Sequence, residues 1–237
     1  MRTLAVLPIK SLTAAKQRLG DLLGNGSRRA LAQAMCSDVL TSLRRVERID
    51  AIAVVSRDPS VQSVAIGERI SILDDSAEAG QSAAAQIGVR HALTAGFDRV
   101  LLVPGDTPLL DPLEVDELLR RGEQSALQTV IVPDRHGEGT NALLLCPPDV
   151  FEPSFGPGSL ARHTAAARAA GLAYAVEHVD SLALDVDTPD DFAELGASLT
   201  GRHGRAPLTR GALRQLQMSH APSRTSDTER PAAALRG

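Results

Sequence analysis

The sequence predicts an α/β protein built on a mixed, mostly parallel sheet. Two observations favour this fold class. Short apolar runs recur along the chain, as is typical of strands that are buried on both faces. Segments with helical spacing or helix-start residues separate these runs, so that strand–helix–strand units follow one another. The predicted strands are 4–7, 52–55, 70–73, 100–103, 129–132, 142–145 and 173–179.

The helices are predicted from their start signals and their apolar stripes. Ser27 can cap a first helix in which apolar residues recur at helical spacing through Leu43. An alanine-rich helix is expected over 80–93. Asp111 followed by Pro112 and Glu114 is typical of an N-cap, a proline at the first helical position and a capping-box glutamate.

Two more helices complete the prediction. One is expected over 160–170, after a glycine-rich turn, and the last opens at Thr188 and Pro189 and ends near Leu199. We therefore expect one domain over 1–199. Residues 200–237 carry seven arginines and two acidic residues but few apolar side chains, so we expect a flexible, disordered tail with one helical turn near 212–218.

Composition excludes several classes of protein. The chain is 43% hydrophobic and 23% charged, as in ordinary globular proteins. No apolar run approaches the length of a membrane span, and the start has no signal-peptide pattern, so we expect a cytoplasmic protein. Cys36 and Cys146 are predicted to be free, buried thiols, and the six histidines lack the spacing of metal ligands.

The lysines point to a phosphate-binding loop. Lys10 and Lys16 are the only lysines of the chain, and both follow the first predicted strand. An ammonium is a compact point charge, whereas guanidinium is a planar fork, and loops that hold nucleotide phosphates often use the compact charge. The alternative is a pair of surface lysines that lie together by chance.

Two aspartates are candidates for a metal site. Asp106 and Asp187 each open the tripeptide Asp-Thr-Pro directly after an apolar run. The alternative is a plain helix opening, but that explains Thr188 and Pro189 and leaves both aspartates one residue too early to be caps. Ligands of open parallel sheets bind beyond the carboxyl ends of strands, where both aspartates fall.

The two carboxylates suit magnesium. Mg²⁺ in nucleotide sites is held by one or two carboxylates together with substrate phosphates, so we predict a Mg²⁺–nucleotide site with Asp106 and Asp187 as ligands. The lysine loop has neither the Gly-Lys-Ser/Thr ending of a Walker A motif nor a Gly-x-Gly-x-x-Gly pattern. These absences argue against P-loop kinases and dinucleotide-dependent dehydrogenases.

A second substrate is expected at 139–141 and 155–159. The glycines of these segments allow close approach of an anion, and the helix that opens at Ser159 offers free N–H groups to a phosphate or carboxylate. The alternative is a helix junction that Ser159 merely caps. We expect His163 to be structural, and Arg162 and Arg168 to form a solvated face. Gln81 and Ser82 are weak candidates for contact with a nucleobase.

Together these residues resemble the guanylyltransferases of deazaflavin coenzyme F-420 biosynthesis, which act on 2-phospho-L-lactate or phosphoenolpyruvate. The resemblance covers residues 1–198 in the family's order. One departure is that the family usually carries Leu-Asn where this chain has Gln81-Ser82. The matching elements are Pro8-Ile-Lys10, Lys16-Gln-Arg18-Leu19, Gly105-Asp106-Thr-Pro108, Gly139-Thr140-Asn141, Phe155-Gly156-Pro-Gly-Ser159 with His163, and Leu184-Asp185-Val-Asp187-Thr-Pro189.

The resemblance implies a Rossmann-like sheet of the nucleotide-diphospho-sugar transferase type, with GTP and a small phosphorylated acid as substrates. It places catalysis on Lys16, Asp106 and Asp187, the last two as Mg²⁺ ligands. Phosphoenolpyruvate would contact Thr140, Gly156 and Ser159. The nucleotide would contact Pro8, Lys10, Lys16, Arg18, Ser82 and Gly105. The arginine-rich tail would have no counterpart in the family's core.

Several alternatives stay open. The acceptor could be phosphoenolpyruvate, 2-phospho-L-lactate or 3-phosphoglycerate. Other nucleotidyltransferases of this fold open with a glycine-rich loop, and no glycine lies between Met1 and Leu19. A catalytically silent nucleotide-binding module is a rival from another class.

We do not expect nucleic-acid binding, because no aromatic residues interleave the arginines of the tail. The oligomeric state is open, with a homodimer as one alternative.

Overall fold

The computed structural model describes residues 1–9, 12, 16–65, 70–200 and 204–220. Lys10, one of the two lysines of the predicted phosphate loop, lies outside the described residues. The calls on the chain beyond residue 220 also lie outside them. Within the described residues, all seven predicted strands are present, each within a few residues of its expected bounds.

The seven strands form one sheet in the order β3-β2-β1-β4-β6-β5-β7. Neighbouring strands are parallel, except that β6 runs antiparallel to both β4 and β5. The predicted mixed, mostly parallel sheet is therefore confirmed. The strands are β1 (Thr3–Pro8), β2 (Ala51–Val55), β3 (Ile70–Leu73), β4 (Arg99–Leu102), β5 (Thr129–Pro133), β6 (Thr140–Leu145) and β7 (Tyr174–Val176).

Seven α-helices accompany the sheet in the described part of the chain. Short 3-10 helices at Gln17–Leu19 and Asp180–Leu182 are added to them. None of the described helices is both long and apolar enough to cross a membrane. The α-helices are α1 (Asn25–Leu43), α2 (Pro59–Val64), α3 (Gln81–Thr94), α4 (Pro112–Gln124), α5 (Ser159–Ala169), α6 (Pro189–Leu199) and α7 (Pro207–His220).

The helix starts follow their local chemistry, with two corrections. Asp111 caps α4 and Thr188 caps α6, as predicted, and α6 has a full capping box. Glu114 does not complete a capping box, since its carboxylate accepts the N–H of Ser181 at 3.0 Å. Ser27 is not a cap either, because α1 already begins at Asn25 after an N-cap glycine, Gly24.

β1 shows how the sheet separates two layers of apolar side chains. All six of its residues are buried. Ala5 and Leu7 belong to the core cluster that includes the apolar face of α1, whereas Leu4 and Val6 belong to the cluster that includes α3. Successive side chains of a strand point to opposite faces, so an unbroken apolar run is required when helices cover both sides.

The segment after residue 199 differs from the expectation of a flexible tail. Pro207–His220 forms α7, which packs against α1. Leu213 of α7 is 6% exposed and joins the main core cluster. The buried carboxylate of Asp38, on α1, accepts the N–H of Thr209 at 2.7 Å and so satisfies the first turn of α7. Composition alone misses this helix because its capping group comes from another helix.

Close packing of α3 on β1 places the start of α3 beside the carboxyl edge of the sheet. The approach depends on Gly88, since a Cβ at that position would lie 2.2 Å from Cγ1 of the buried Val6. Real Cβ atoms do not come so close, so a larger residue would separate the helix from the strand.

We predict that Gly88→Ala destabilises the protein by about 1–3 kcal/mol, since overpacking outweighs the gain in helix propensity of about 1 kcal/mol. Gly196→Ala is the matched control, because a Cβ at Gly196 of α6 meets nothing within 4 Å. The control should be neutral or stabilising. Urea unfolding of the two variants measures both effects, and equal stability of the two would contradict the packing argument.

Candidate active site

A cavity of about 330 Å³ lies at the edge of the sheet where β1, β4 and β5 end and β6 begins. This is the edge at which open parallel sheets bind their ligands. The cavity brings together loops that are far apart in the chain. Six residues that the sequence predicts for binding line it: Arg18, Asp106, Thr140, Gly156, Ser159 and Asp187.

Lys16 links the two predicted metal ligands. Its Nζ donates to Asp106 Oδ2 and to Asp187 Oδ1, the latter at 2.8 Å. The Lys16 side chain is only 7% exposed, whereas that of Asp187 is 50% exposed. Three segments that are distant in sequence thus meet through one ammonium, as the spacing of the motifs predicts. A backbone bond from Val186 N–H to Asp106 O (3.3 Å) joins the same two loops.

The electrostatics of Lys16 keep it charged. Burial disfavours the ammonium form, but the adjacent carboxylates of Asp106 and Asp187 outweigh burial and raise the pKa of Lys16 above its ordinary value. Its backbone has φ 57° and ψ 40°, in the left-handed region that few residues other than glycine adopt. Such a conformation persists where surrounding contacts over-determine it, and the double ion pair supplies such contacts.

Among the described residues, Gln81, a candidate for contact with a nucleobase, also lines the cavity. Four other predicted nucleotide residues do not line it, namely Pro8, Lys16, Ser82 and Gly105. Pro8 is the buried last residue of β1. Gly105 packs against Ile9, since a Cβ added at Gly105 would lie 3.0 Å from Ile9 Cγ1. Ser82 Oγ accepts the N–H of Phe155 at 2.9 Å. Lys10 is not among the described residues. A role of these residues in nucleotide binding stays a prediction.

The carboxylates fit a divalent cation that is shared with a ligand. Asp106 Oδ1 is buried and has no hydrogen-bond partner in the structure, which is the state expected of an oxygen reserved for another group. Among the described residues, no cluster of three or more His, Cys, Asp or Glu could hold a metal by itself. Two carboxylates completed by phosphate oxygens and water are typical of Mg²⁺.

Asp185 is a third carboxylate of the cavity, to which the sequence motif assigned no role. Its burial, together with the nearby charges of Asp106 and Asp187, raises its pKa to about 6. Asn141 Nδ2 donates to Asp185 Oδ1 at 3.2 Å, and to the carbonyl oxygens of Leu182 and Ala183 at 2.8 and 3.0 Å. Asn141 therefore joins the start of β6 to the segment that leads to Asp187.

Asp134 shapes the turn that leads into Thr140. Its carboxylate accepts three backbone N–H groups, from His136, Glu138 and Gly139, at 3.1, 3.0 and 2.9 Å. A Cβ at Gly139 would lie 2.6 Å from Asp134 Oδ2, so glycine is required where the carboxylate folds under the turn. The sequence signals the glycine, but only the structure shows why it is needed.

His163 connects Thr140 to the glycine-rich loop. Ser154 N–H donates to His163 Nε2 at 2.9 Å, so that Nδ1 carries the proton of the neutral ring and faces Thr140 Oγ1 at 3.0 Å. The ring is buried between Phe151 and Phe155. Burial and the positive charge of Arg162 lower its pKa to about 4. His163 thus has a buried, hydrogen-bonded position in α5.

Arg162 is exposed, as expected of a solvated residue, but it also has contacts that the sequence did not indicate. Its guanidinium donates to Ser154 Oγ and to four backbone carbonyls of residues 154–157. The helix start also differs from the simple alternative, because Ser159 is the first helical residue and makes no side-chain cap; Gly158 precedes it in a left-handed conformation. Residue spacing could not reveal that the loop folds back over Arg162.

Comparison with known proteins decides the family. The family model described as "Guanylyl transferase CofC like" matches residues 3–234. The chain belongs to this family of CofC-like guanylyltransferases. The match extends past α7, so it includes the segment beyond residue 199 that we expected to lie outside the family's core.

Relatives of this CofC-like chain cover nearly its whole length. A phosphoenolpyruvate guanylyltransferase of Conexibacter woesei is 53% identical over 91% of the chain and 97% of the relative. A 2-phospho-L-lactate guanylyltransferase of Methanothermobacter thermautotrophicus is 33% identical over 96% of each. A 3-phospho-D-glycerate guanylyltransferase of Phenylobacterium zucineum is 31% identical over 84% of the chain and 91% of the relative.

Solved structures support the predicted type of sheet. A protein of Desulfovibrio desulfuricans G20, assigned to the nucleotide-diphospho-sugar transferases, superposes with a TM-score of 0.73 at 18% identity, covering 92% of this chain and 96% of its own. Rv0371c of Mycobacterium tuberculosis, in complex with manganese, has a TM-score of 0.53 at 17% identity and covers 84% of this chain and 100% of its own. At such identities the likeness shows the shared fold.

We predict that His163 makes stability pH-dependent. Its folded pKa of about 4 lies below the ordinary 6.5, so the unfolded chain takes up a proton that the folded protein excludes. This stabilisation is complete above pH 6.5 and is lost as the pH falls towards 4, by up to about 3 kcal/mol.

Denaturant unfolding of the wild type and of His163→Gln across this pH range measures the effect. The difference in stability between the two proteins should narrow as the pH falls, because the variant has no imidazole to protonate. A constant difference would contradict the assignment of a neutral, buried ring.

Proposed function

We propose that the protein is a phosphoenolpyruvate guanylyltransferase of coenzyme F-420 biosynthesis. It joins GTP and phosphoenolpyruvate to give enolpyruvoyl-2-diphospho-5'-guanosine and pyrophosphate. The observation that carries this proposal is the arrangement of the cavity. On one wall lie two aspartates that the buried ammonium of Lys16 joins, and on the other a glycine-rich loop and a helix start face the same space.

The reaction is a phosphoryl substitution. An oxygen of the acceptor's phosphate forms a bond to the α-phosphorus of GTP, and the bond from that phosphorus to the α,β-bridging oxygen breaks, with its electron pair leaving on pyrophosphate. The second pKa of a phosphate monoester is near 6, so the attacking oxygen is already ionised at neutral pH and needs no general base. This agrees with a buried, neutral His163 that is occupied by Thr140 and Ser154.

The main obstacle is repulsion between two polyanions, so catalysis consists largely of positioning and charge neutralisation. Lys16, which its two carboxylate partners keep protonated, is suited to the triphosphate, together with Arg18 on the cavity wall and Lys10 earlier in the sequence. Asp106 and Asp187 would hold Mg²⁺, whose chemistry is to neutralise phosphate oxygens at the reacting phosphorus.

The acceptor's carboxylate and phosphate would lie at Thr140, Gly156 and Ser159, which line the opposite wall. Phosphoenolpyruvate is favoured over 2-phospho-L-lactate and 3-phosphoglycerate because two relatives named for it are 53% and 39% identical, whereas the relatives named for the other two acids are 33% and 31% identical. The cytoplasmic location and the homodimer stay predictions.

The proposal is tested by incubating the protein with GTP, Mg²⁺ and each of the three acids in turn. Mass spectrometry should detect the guanylylated product with phosphoenolpyruvate in preference to the other two acids. Absence of product with every acid would overturn the proposed function and favour the catalytically silent nucleotide-binding module.

We further predict that Lys16→Ala lowers turnover at least about a hundredfold, the scale of a lost electrostatic donor. Arg120→Ala is the matched control, since Arg120 also pairs with a carboxylate, that of Glu117, but on the outer face of α4. The control should keep full turnover. Near-normal turnover of a folded Lys16→Ala variant would remove Lys16 from the mechanism.

A further inference from the structure

The guanidinium of Arg162 donates hydrogen bonds to several atoms of the glycine-rich loop. Nε donates to Ser154 Oγ at 2.9 Å, and Nη1 donates to Pro157 O at 2.5 Å. Nη2 lies 3.0, 3.1 and 3.4 Å from the carbonyl oxygens of Ser154, Phe155 and Gly156. Four successive carbonyl groups therefore turn towards one guanidinium.

Because peptide units are planar and trans, the directions of these carbonyl groups also fix the directions of the N–H groups in the loop. In each peptide unit the C=O and the following N–H point in opposite directions. Because the carbonyls of Phe155 and Pro157 point to Arg162, the N–H groups of Gly156 and Gly158 point away from it. These two amides donate to no backbone oxygen among the described residues.

The other amides of the segment are already occupied. Ser154 N–H donates to His163 Nε2, Phe155 N–H to Ser82 Oγ, and Ser159 N–H to Gly156 O at 3.0 Å. Of the free pair, Gly156 lines the cavity, whereas Gly158 lies between two lining residues, Pro157 and Ser159. Arg162 itself is not among the lining residues.

This loop conformation requires glycine, but glycine alone does not stabilise it. Gly156 and Gly158 have φ of 103° and 71°, in the region that favours glycine, and glycine loses the most conformational freedom on ordering. Successive amides that face one side of such a turn form an anion-binding concavity. A rigid fork of five donors is suited to fixing four carbonyls at once, which a lysine cannot do.

We propose that Arg162 is a positioning residue for the acceptor. By drawing the loop carbonyls to the outer side, it holds the N–H groups of Gly156 and Gly158 towards the cavity, where they receive the carboxylate or phosphate of the small acid. The inference rests on the proposed function. It assigns to Arg162 an action through the loop, and no contact with either substrate.

Steady-state kinetics with phosphoenolpyruvate and GTP test this role. Arg162→Ala and Arg162→Lys should each raise the KM for phosphoenolpyruvate at least about tenfold, since small misplacement of binding groups has large effects. The KM for GTP should change less than about twofold. Arg168→Ala is the matched control, because Arg168 lies on the same helix and donates to the Tyr174 hydroxyl instead; it should leave both KM values unchanged.

A second measurement does not depend on activity. Hydrogen exchange of the amides of 154–159 in the free protein should be faster in both Arg162 variants and unchanged in Arg168→Ala. Unchanged exchange in Arg162→Ala overturns the inference, whether or not the protein turns over its substrates. Absence of product in the wild type, with faster loop exchange in the variants, overturns the proposed function and leaves the loop-holding role of Arg162 supported.

Two kinetic outcomes would also overturn the inference. A normal KM in Arg162→Lys with a raised KM in Arg162→Ala would show that positive charge, and not the fork, matters. Equal increases of both KM values, together with a lower melting temperature, would show general loss of structure.

Discussion

The shared ammonium of Lys16 is the interaction on which the cavity depends. Asp106 and Asp187 lie close enough to Asp185 to contribute to the rise of its pKa, and carboxylates at such distances repel in a partly buried place. The ammonium of Lys16 offsets this repulsion because it pairs with the carboxylates of Asp106 and Asp187. The burial of Lys16 is in turn possible only because these two partners are present. The cation of the first loop and the aspartates at two distant loops therefore belong to one electrostatic unit.

The opposite wall of the cavity differs in the groups that it presents, which are largely backbone groups. Asp134, His163 and Arg162 each bind main-chain atoms of a turn and thereby fix which peptide groups face the cavity. Side chains that never meet a substrate can set the shape of a binding surface in this way. The arrangement separates the wall that has the Lys16–aspartate cluster from the wall that has the backbone groups.

Much of this could be predicted where the determining contacts are local. The strands follow from apolar runs, and the caps at Asp111 and Thr188 follow from neighbouring residues. The motifs also located the cavity, since Asp106 and Asp187 both line it. Only Asp106 follows a strand, however, because Asp187 comes after the 3-10 helix Asp180–Leu182 and an irregular segment. The contacts of Arg162 could not be predicted, since they depend on a loop that folds back over the helix. The bond from Phe155 N–H to Ser82 Oγ could not be predicted either, because the two residues are 73 positions apart.

The anchoring of α7 has a consequence for the boundary of the folded unit. Asp38 is buried between α1 and α7, and Arg205 forms an ion pair with Asp111, the cap of α4. Truncation at residue 199 would remove the N–H donors of the buried Asp38 carboxylate and would expose the apolar side of α1 to water. Helix α7 thus completes the hydrophobic interior, and the folded unit includes it.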